Sequence, residues 1–284
     1  MSTRSHLHRI AALDPDRDHQ EIHRITAMFE FPWDYVRALE FALFRTYCVP
    51  TISALLARTG EFRDRPQKRY DDTAMLMAEL IEHGYDAPRG KASLRRINQM
   101  HNRYDISNDD MMYVLTTFIY DPLDWIDAYG YRPLHPHERI AAFQFYREVG
   151  RRMGIRDIPD DSGPLLAFKK DYERRTFGYS ETNAEIGRYT VDLLASWYPI
   201  PRAMVAIGVE ALIDAQMTRA FGFRPPRPGV GPLLRTALRV RGRIVAHLPE
   251  RTTSAFDTTD VRSYPQYAGR RREIEPSSLG TFAG

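Results

Sequence analysis

The chain of 284 residues contains a single cysteine, Cys48. That excludes an internal disulfide and any Cys-based zinc or iron–sulfur site, and it suits a reducing compartment. Between Tyr47 and Val49, with no Cys-His pattern nearby, Cys48 is expected to be a small core residue rather than a nucleophile. Long apolar runs are scarce too. The longest, residues 203–215, is broken by Glu210 and too short to cross a bilayer. The opening residues, Met1 to Arg9, hold no apolar segment of the secretory type, so a soluble, cytoplasmic protein is expected. Metal and nucleotide signatures are missing. Neither Glu-x-x-His nor His-Glu-x-x-His occurs, which argues against a ferritin-like di-iron centre and a zinc protease site. Arg89-Gly90-Lys91-Ala92-Ser93 looks like the end of a phosphate loop, but the earlier glycine position holds Tyr85 and no strand precedes it. No dinucleotide-binding glycine fingerprint is present. The net charge of +3 is small for this length and calls for no nucleic-acid partner.

What is present is helix. With 43% hydrophobic and 27% charged residues the composition is that of an ordinary globular protein, and no segment alternates with the period of a strand. Apolar spacing and breakers predict helices over residues 18–28, 32–47, 50–58, 72–83, 91–103, 108–120, 122–129, 136–153, 161–176, 181–197, 201–221 and 231–247. Asp71 is the expected N-cap and Gly84 the C′ residue of the fourth, and Ser107 with Asp110 reads as a capping box. Short connections favour one all-α, multi-helix domain over residues 18–250. Residues 1–17 form an N-terminal extension, and the Thr-, Ser- and Arg-rich residues 251–284 are expected to be extended or mobile.

Three features carry chemistry. His101 shares a helical stripe with Leu94, Ile97 and Tyr104, so its imidazole faces apolar surface. Taken alone, such a histidine is more often a satisfied core residue than a ligand. Yet a haem iron needs only one proximal imidazole, with the macrocycle buried in apolar surface. Arg69 and Thr73, four apart, point the same way and could both donate to a polarised dioxygen; the plainer alternative pairs Arg69 with Asp72 and leaves Thr73 bonding its own helix. His19 with His23, and His135 with His137, lack a third ligand in register. Finally, residues 224–251 hold seven arginines against one acid, Glu250. The helix at 231–247 sets Leu233, Leu234, Leu238, Val240, Ile244 and Val245 among four of them. It could lie on an anionic membrane or be a solvated face packed through its leucines.

The order of short motifs adds to this. Arg69-x-x-x-Thr73, Glu82-His83-Gly84-Tyr85-Asp86, Asn98-Gln99-Met100-His101, Ile106-Ser107-Asn108-Asp109-Asp110, Leu134-x-x-x-Glu138 and Gly150-Arg151-Arg152-Met153-Gly154 occur in that sequence. Together they resemble the rubber oxygenase (latex clearing protein) and mycophenolic-acid-pathway oxygenase family. The likeness covers roughly residues 18–250 and lies nearer the mycophenolic-pathway branch. It implies an all-α fold with a globin-like haem-b core and oxidative cleavage, with dioxygen as co-substrate, of a C=C bond in a lipophilic, isoprenoid-like small molecule. By the same resemblance His101 is the proximal iron ligand, and Arg69 and Thr73 are the distal polar residues. Two departures stand out. The rubber enzymes carry a lysine beside the threonine where this chain has Asp72, so a lysine-closed resting state is not expected. Their upstream catalytic glutamate has no clear match, Glu40 and Glu61 being candidates in name only. The fungal pathway enzyme has a membrane-anchoring N-terminal helix, which the opening residues here do not resemble. The rival functions are a non-catalytic haem or lipid carrier or sensor, and an all-α nucleic-acid-binding module using the basic helix.

Overall fold

A computed structural model describes residues 5–258, 267 and 273–280. In chain order the helices are α1 (Ser5–Ala12), α2 (His19–Ile25), α3 (Pro32–Thr46), α4 (Pro50–Thr59), α5 (Glu61–Asp64), α6 (Pro66–His83), α7 (Pro88–His101), α8 (Asn108–Tyr129), α9 (Pro136–Arg152), α10 (Ser162–Thr176), α11 (Glu181–Ser196), α12 (Arg202–Leu212), α13 (Ala215–Ala220), α14 (Val230–Val245) and α15 (Ala255–Thr258). A π turn, Thr26–Glu30, continues α2, and a 3-10 turn spans Pro276–Ser278. No strand occurs among the described residues, so the all-α expectation holds.

Five of these helices, α3, α4, α6, α7 and α9, begin on a proline. The ring fixes φ near its helical value, and at the first position the missing N–H would have had no partner anyway. Elsewhere a side chain does the capping: Ser107 Oγ accepts from the Asp110 N–H at 3.0 Å. Gly84, at φ 77°, ends α6. The next turn needs Gly90, because a Cβ there would sit 1.9 Å from the Gly84 carbonyl oxygen. That close approach is why a phosphate-loop-like Arg-Gly-Lys occurs here.

Three expected boundaries move. Helix α6 starts at Pro66, not at Asp72. Asp71 is therefore an interior residue, and Arg69 and Thr73 lie within the helix rather than at its opening. Helix α8 continues through Pro122. Its packing along α3, with Arg45 and Lys169 held at Asp121, offsets a kink that costs about 3 kcal/mol in isolation. The stretch predicted as one helix over 201–221 breaks at Asp214, whose Oδ1 accepts from the Gln216 and Met217 N–H groups at 2.8 and 2.9 Å and so starts α13.

Two apolar clusters organise the interior. The larger draws Met75, Leu76 and Leu80 of α6, Leu94 and Ile97 of α7, and Phe143, Phe145 and Tyr146 of α9. The second joins Phe44 of α3, Ile186 and Leu194 of α11, Val205 of α12 and Phe221. Helix α6 serves both, its later turns facing the first and its opening turns bordering the second. The N-terminal extension adds Ile10 of α1, fully buried against α2 and α9. The C-terminal segment lies partly outside the described residues (259–266, 268–272 and 281–284). Its described parts bury Phe256, Tyr267 and Leu279 in the larger cluster.

The histidine pairs are structural. His19 Nε2 is hydrogen-bonded to the Tyr85 hydroxyl at 2.6 Å, and His137 Nδ1 to the Ile10 carbonyl at 3.1 Å. His23 is buried, stacked on Phe145 at 4.5 Å and joined to Tyr35 at 3.1 Å. Burial first, then the neighbouring His19, push its pKa down to about 3. The unfolded chain therefore binds a proton, between about pH 6.5 and pH 3, that the folded one refuses. Stability from this group is complete above pH 6.5 and is lost as the pH falls through that window. Going from pH 7 to pH 5 should cost about 2 kcal/mol through His23 alone. Urea unfolding of wild type and His23→Leu at both pH values checks this: the variant should show the smaller loss, and equal losses would refute it.

Candidate active site

Four residues of α6 spaced i, i+3, i+4 and i+7, namely Pro66, Arg69, Tyr70 and Thr73, share one stripe and form one wall of a narrow cleft. Helix α3 contributes Glu40 and Leu43 and its cap Tyr47, α5 contributes Phe62, and the end of α11 with its cap contributes Thr190, Leu193, Leu194 and Trp197. Counted out to its mouth, the cleft encloses about 450 Å³ of empty space, and its exposed lining is overwhelmingly apolar. Phe62, Pro66 and Leu193 are shared with a wider, open vestibule that reaches Gln67, Asp192 and Arg202.

Arg69 and Thr73 meet inside this cleft. An Arg69 Nη1–H donates to Thr73 Oγ1, and the Thr73 hydroxyl donates to the Arg69 carbonyl at 3.3 Å. Its one proton is thus committed to the backbone. Thr73 is a positioning residue for the guanidinium rather than a second free donor, which refines the sequence expectation. The alternative pairing of Arg69 with Asp72 does not form. Asp72 is buried, bound to Lys68 Nζ at 2.7 Å and accepting from the Tyr267 hydroxyl at 2.9 Å. The guanidinium of Arg69 also lies 5.7 Å from the Phe62 ring centroid.

His101 closes α7 and does not line the cleft. Its Nδ1 is buried with no hydrogen-bond partner among the described residues. A helix C-terminus ordinarily favours a charged imidazole, yet burial, then the positive charge of Arg69, lower the His101 pKa to about 4. The ring is therefore neutral at physiological pH and lies within the field of Arg69. A neutral imidazole with an unsatisfied, desolvated nitrogen is the donor that a metal takes. Among the described residues no group of three or more His, Cys, Asp or Glu side chains converges as metal ligands would. A macrocycle that brings its own four nitrogens, and asks the protein for one, is the group this donor set fits.

Glu40, which the sequence offers only in name as a catalytic glutamate, is the one acid lining the cleft among the described residues. Its Oε1 accepts from the Tyr70 hydroxyl and from Arg37 Nη2, the latter at 2.6 Å. Burial, then Glu40, raise the Tyr70 pKa well above its usual value and keep the phenol protonated. Trp197 seals the other side, its Nε1–H donating to Gln67 Oε1 at 2.6 Å. The available signal is a single carboxylate inside the apolar run Leu39-Glu40-Phe41-Ala42-Leu43-Phe44. Glu61 instead sits outside the cleft, paired with Arg65 at 2.5 Å.

Known proteins resemble this chain in sequence. It is 40% identical over 147 residues to the ER-bound oxygenase mpaB of Penicillium roqueforti, covering 49% of each chain. It is 27% identical over 280 residues to the ER-bound oxygenase mpaB' of Penicillium brevicompactum, covering 91% of this chain and 66% of that one. It is 30% identical over 227 residues to mpaB of the latter organism, covering 73% of this chain and 58% of that one. The chain thus spans between half and two thirds of the length of these relatives. No single helix among the described residues is long and apolar enough to cross a membrane. Residues 36–246, which include the whole cleft and His101, match the model of the ER-bound oxygenase mpaB/B'/rubber oxygenase catalytic domain, and the chain belongs to that family.

Proposed function

We propose that this protein is a haem-b-dependent dioxygenase that cleaves a C=C bond of a lipophilic, isoprenoid-like substrate. The observation that carries the reading is His101: a neutral imidazole whose buried Nδ1 has no hydrogen-bond partner among the described residues, in the field of Arg69, whose guanidinium Thr73 holds in an apolar cleft. Haem b, with His101 as its protein ligand, would supply the binding and activation of dioxygen. Arg69 would stabilise negative charge developing on oxygen, in a cleft where few waters compete for its hydrogen bonds. The apolar walls from Leu43, Phe62, Leu193 and Leu194 would hold the alkene by shape, since such a substrate offers little to hydrogen-bond. The Glu40–Tyr70 pair would hold a proton beside it. The reaction balances with no external reductant: one alkene and one dioxygen give two carbonyl groups, each keeping one oxygen atom.

The test is spectroscopic and chemical. Protein produced with ample haem should show a Soret band, take up dioxygen with an unsaturated lipid such as squalene, and place label from ¹⁸O₂ in both carbonyls. Arg69→Leu should bind haem yet lose roughly 10²–10³-fold in turnover. A Soret band without dioxygen uptake would leave the carrier reading in place; no haem binding at all would remove every haem-based reading and leave only the lipid carrier.

A further inference from the structure

Helix α14 is fixed to the body by one face and bares a second, apolar one. Inward, a Cβ on Gly242 would come within 2.6 Å of the Tyr129 carbonyl, and one on Gly231 within 3.0 Å of the Ala211 carbonyl, so the helix lies directly on α8 and α12. Arg241 locks its rotation: Nη1 donates to both oxygens of buried Asp34 at 2.6 and 2.7 Å, and its guanidinium caps the Trp33 ring at 3.9 Å. The outward face is then not a matter of choice. Leu233, Val240 and Ile244, with Leu248 just beyond the helix, fall at i, i+7, i+11 and i+15 and point to solvent, Leu233 being 69% and Ile244 59% exposed. On neighbouring α12, Met204 is 61% exposed, and Ile200 before it is exposed as well. Arg239 and Arg243 are exposed beside the stripe, and neither makes an ion pair among the described residues. The nearest acid in the chain, Glu250, accepts from the Ser5 hydroxyl at 2.7 Å.

We infer that this face of α14 and α12 docks the protein on an anionic lipid bilayer, with the apolar stripe dipping among the acyl chains and the arginines meeting the headgroups. Charge complementarity selects that occupant. A helix lying in the interface plane needs cations flanking an apolar face, and that is what α14 offers. A nucleic-acid backbone would reward the arginines but gain nothing from the bared leucines. Half-exposed Trp33 and Tyr198 stand at the rim, aromatic types suited to the headgroup level. The face also adjoins the cleft. Arg202 of the vestibule lies between Ile200 and Met204 in the chain, and Tyr198 follows Trp197 of the cleft wall. A lipophilic substrate would pass from bilayer to cleft without crossing water. This route rests on the functional reading above, whereas the docking itself does not.

Flotation of the full chain with large unilamellar vesicles tests docking without turnover. Binding should be firm on phosphatidylcholine vesicles containing phosphatidylserine, weak on phosphatidylcholine alone, and reduced by salt. Arg239→Glu with Arg243→Glu should weaken binding by at least about 25-fold, from about fivefold per lost cation. Leu233→Ser with Ile244→Ser should weaken it by at least about tenfold. All four side chains are exposed, so helicity by circular dichroism should be unchanged. Equal binding to both vesicle types would overturn the proposal, as would double variants that float like wild type. So would a wild-type dimer in light scattering that Leu233→Ser with Ile244→Ser renders monomeric, which would assign the face to a second copy of the chain. Loss of oxygenase activity with intact flotation would count against the functional reading alone.

Discussion

Replacing His101 by glycine is expected to abolish the Soret band and dioxygen-dependent cleavage while leaving the fold standing. The iron would lose its one protein ligand. Losing a hydrogen-bonding partner of a metal ligand commonly weakens metal binding by about 10–100-fold, and losing the ligand itself should exceed that range. The structural cost should be modest by comparison. His101 is the last residue of α7, so glycine there ends a helix rather than interrupting one. Its Nδ1 gives up no hydrogen bond to the described residues, because it has none there. Removing the ring also removes a buried polar nitrogen that contributes nothing to the fold. Unfolding free energy should therefore change by no more than about 2 kcal/mol, mostly from lost packing. Free imidazole offered to the variant should diffuse into the vacated space and restore part of the Soret band. Unchanged haem affinity in His101→Gly would sink the ligand assignment. A variant that binds no haem even with imidazole, yet melts like wild type, would place the defect elsewhere in the pocket.

Apolar periodicity makes most of the helices legible in the sequence, and the family resemblance singles out the three residues on which the proposed site rests. Other features are hidden there for identifiable reasons. Polarity masks the start of α6: residues 66–73 have no apolar periodicity to betray a helix. Their pairings do betray it. Gln67 with Asp71, Lys68 with Asp72 and Arg69 with Thr73 form three successive i,i+4 contacts, each a helix-stabilising spacing. That ladder aims Arg69 into the cleft and sends Asp72 to the C-terminal segment. Glu40 is hidden for the opposite reason. Its meaning depends on α6 and α11 closing over α3, a tertiary fact whose one local trace is a lone carboxylate in an apolar run. The helix boundary expected at Pro122 does not form because contact with α3 outweighs the cost of one proline. In the sequence α14 shows only leucines among arginines. Which of them face water depends on Gly231, Gly242 and Arg241 meeting partners from α12, α8 and α3.

In the motif Leu134-x-x-x-Glu138, Glu138 serves the fold and not the cleft. It lies at the third position of α9, its carboxylate accepting from the His135 N–H at 2.6 Å and from Thr26 Oγ1 at 2.9 Å. Arg132 joins it: Nη1 and Nη2 donate to Glu138 at 2.7 and 3.0 Å, while Nε and Nη2 donate to Glu30 Oε2 at 2.8 and 2.5 Å. Burial opposes the charge on Arg132, but Glu138 and Glu30 outweigh it and raise its pKa. One guanidinium thus pairs with two buried carboxylates and ties the α2 end, the α8–α9 loop and the start of α9 together. Arg132→Met keeps most of the volume and removes that charge, so the two acids are left unpaired in the interior. The expected loss is about 3–5 kcal/mol at neutral pH, out of a total near 5–15 kcal/mol for a typical domain, enough to make the variant marginal. Urea unfolding in a double-variant cycle separates the loss of charge pairing from the loss of packing. Adding Glu30→Gln removes one of the stranded charges and should restore at least about 1.5 kcal/mol of urea stability relative to Arg132→Met alone. None of these residues lines the cleft, so whatever fraction folds should bind haem with wild-type affinity. Strict additivity of the two substitutions would show that the charges do not interact, and the account of Glu138 as the knot of this corner would fall with them.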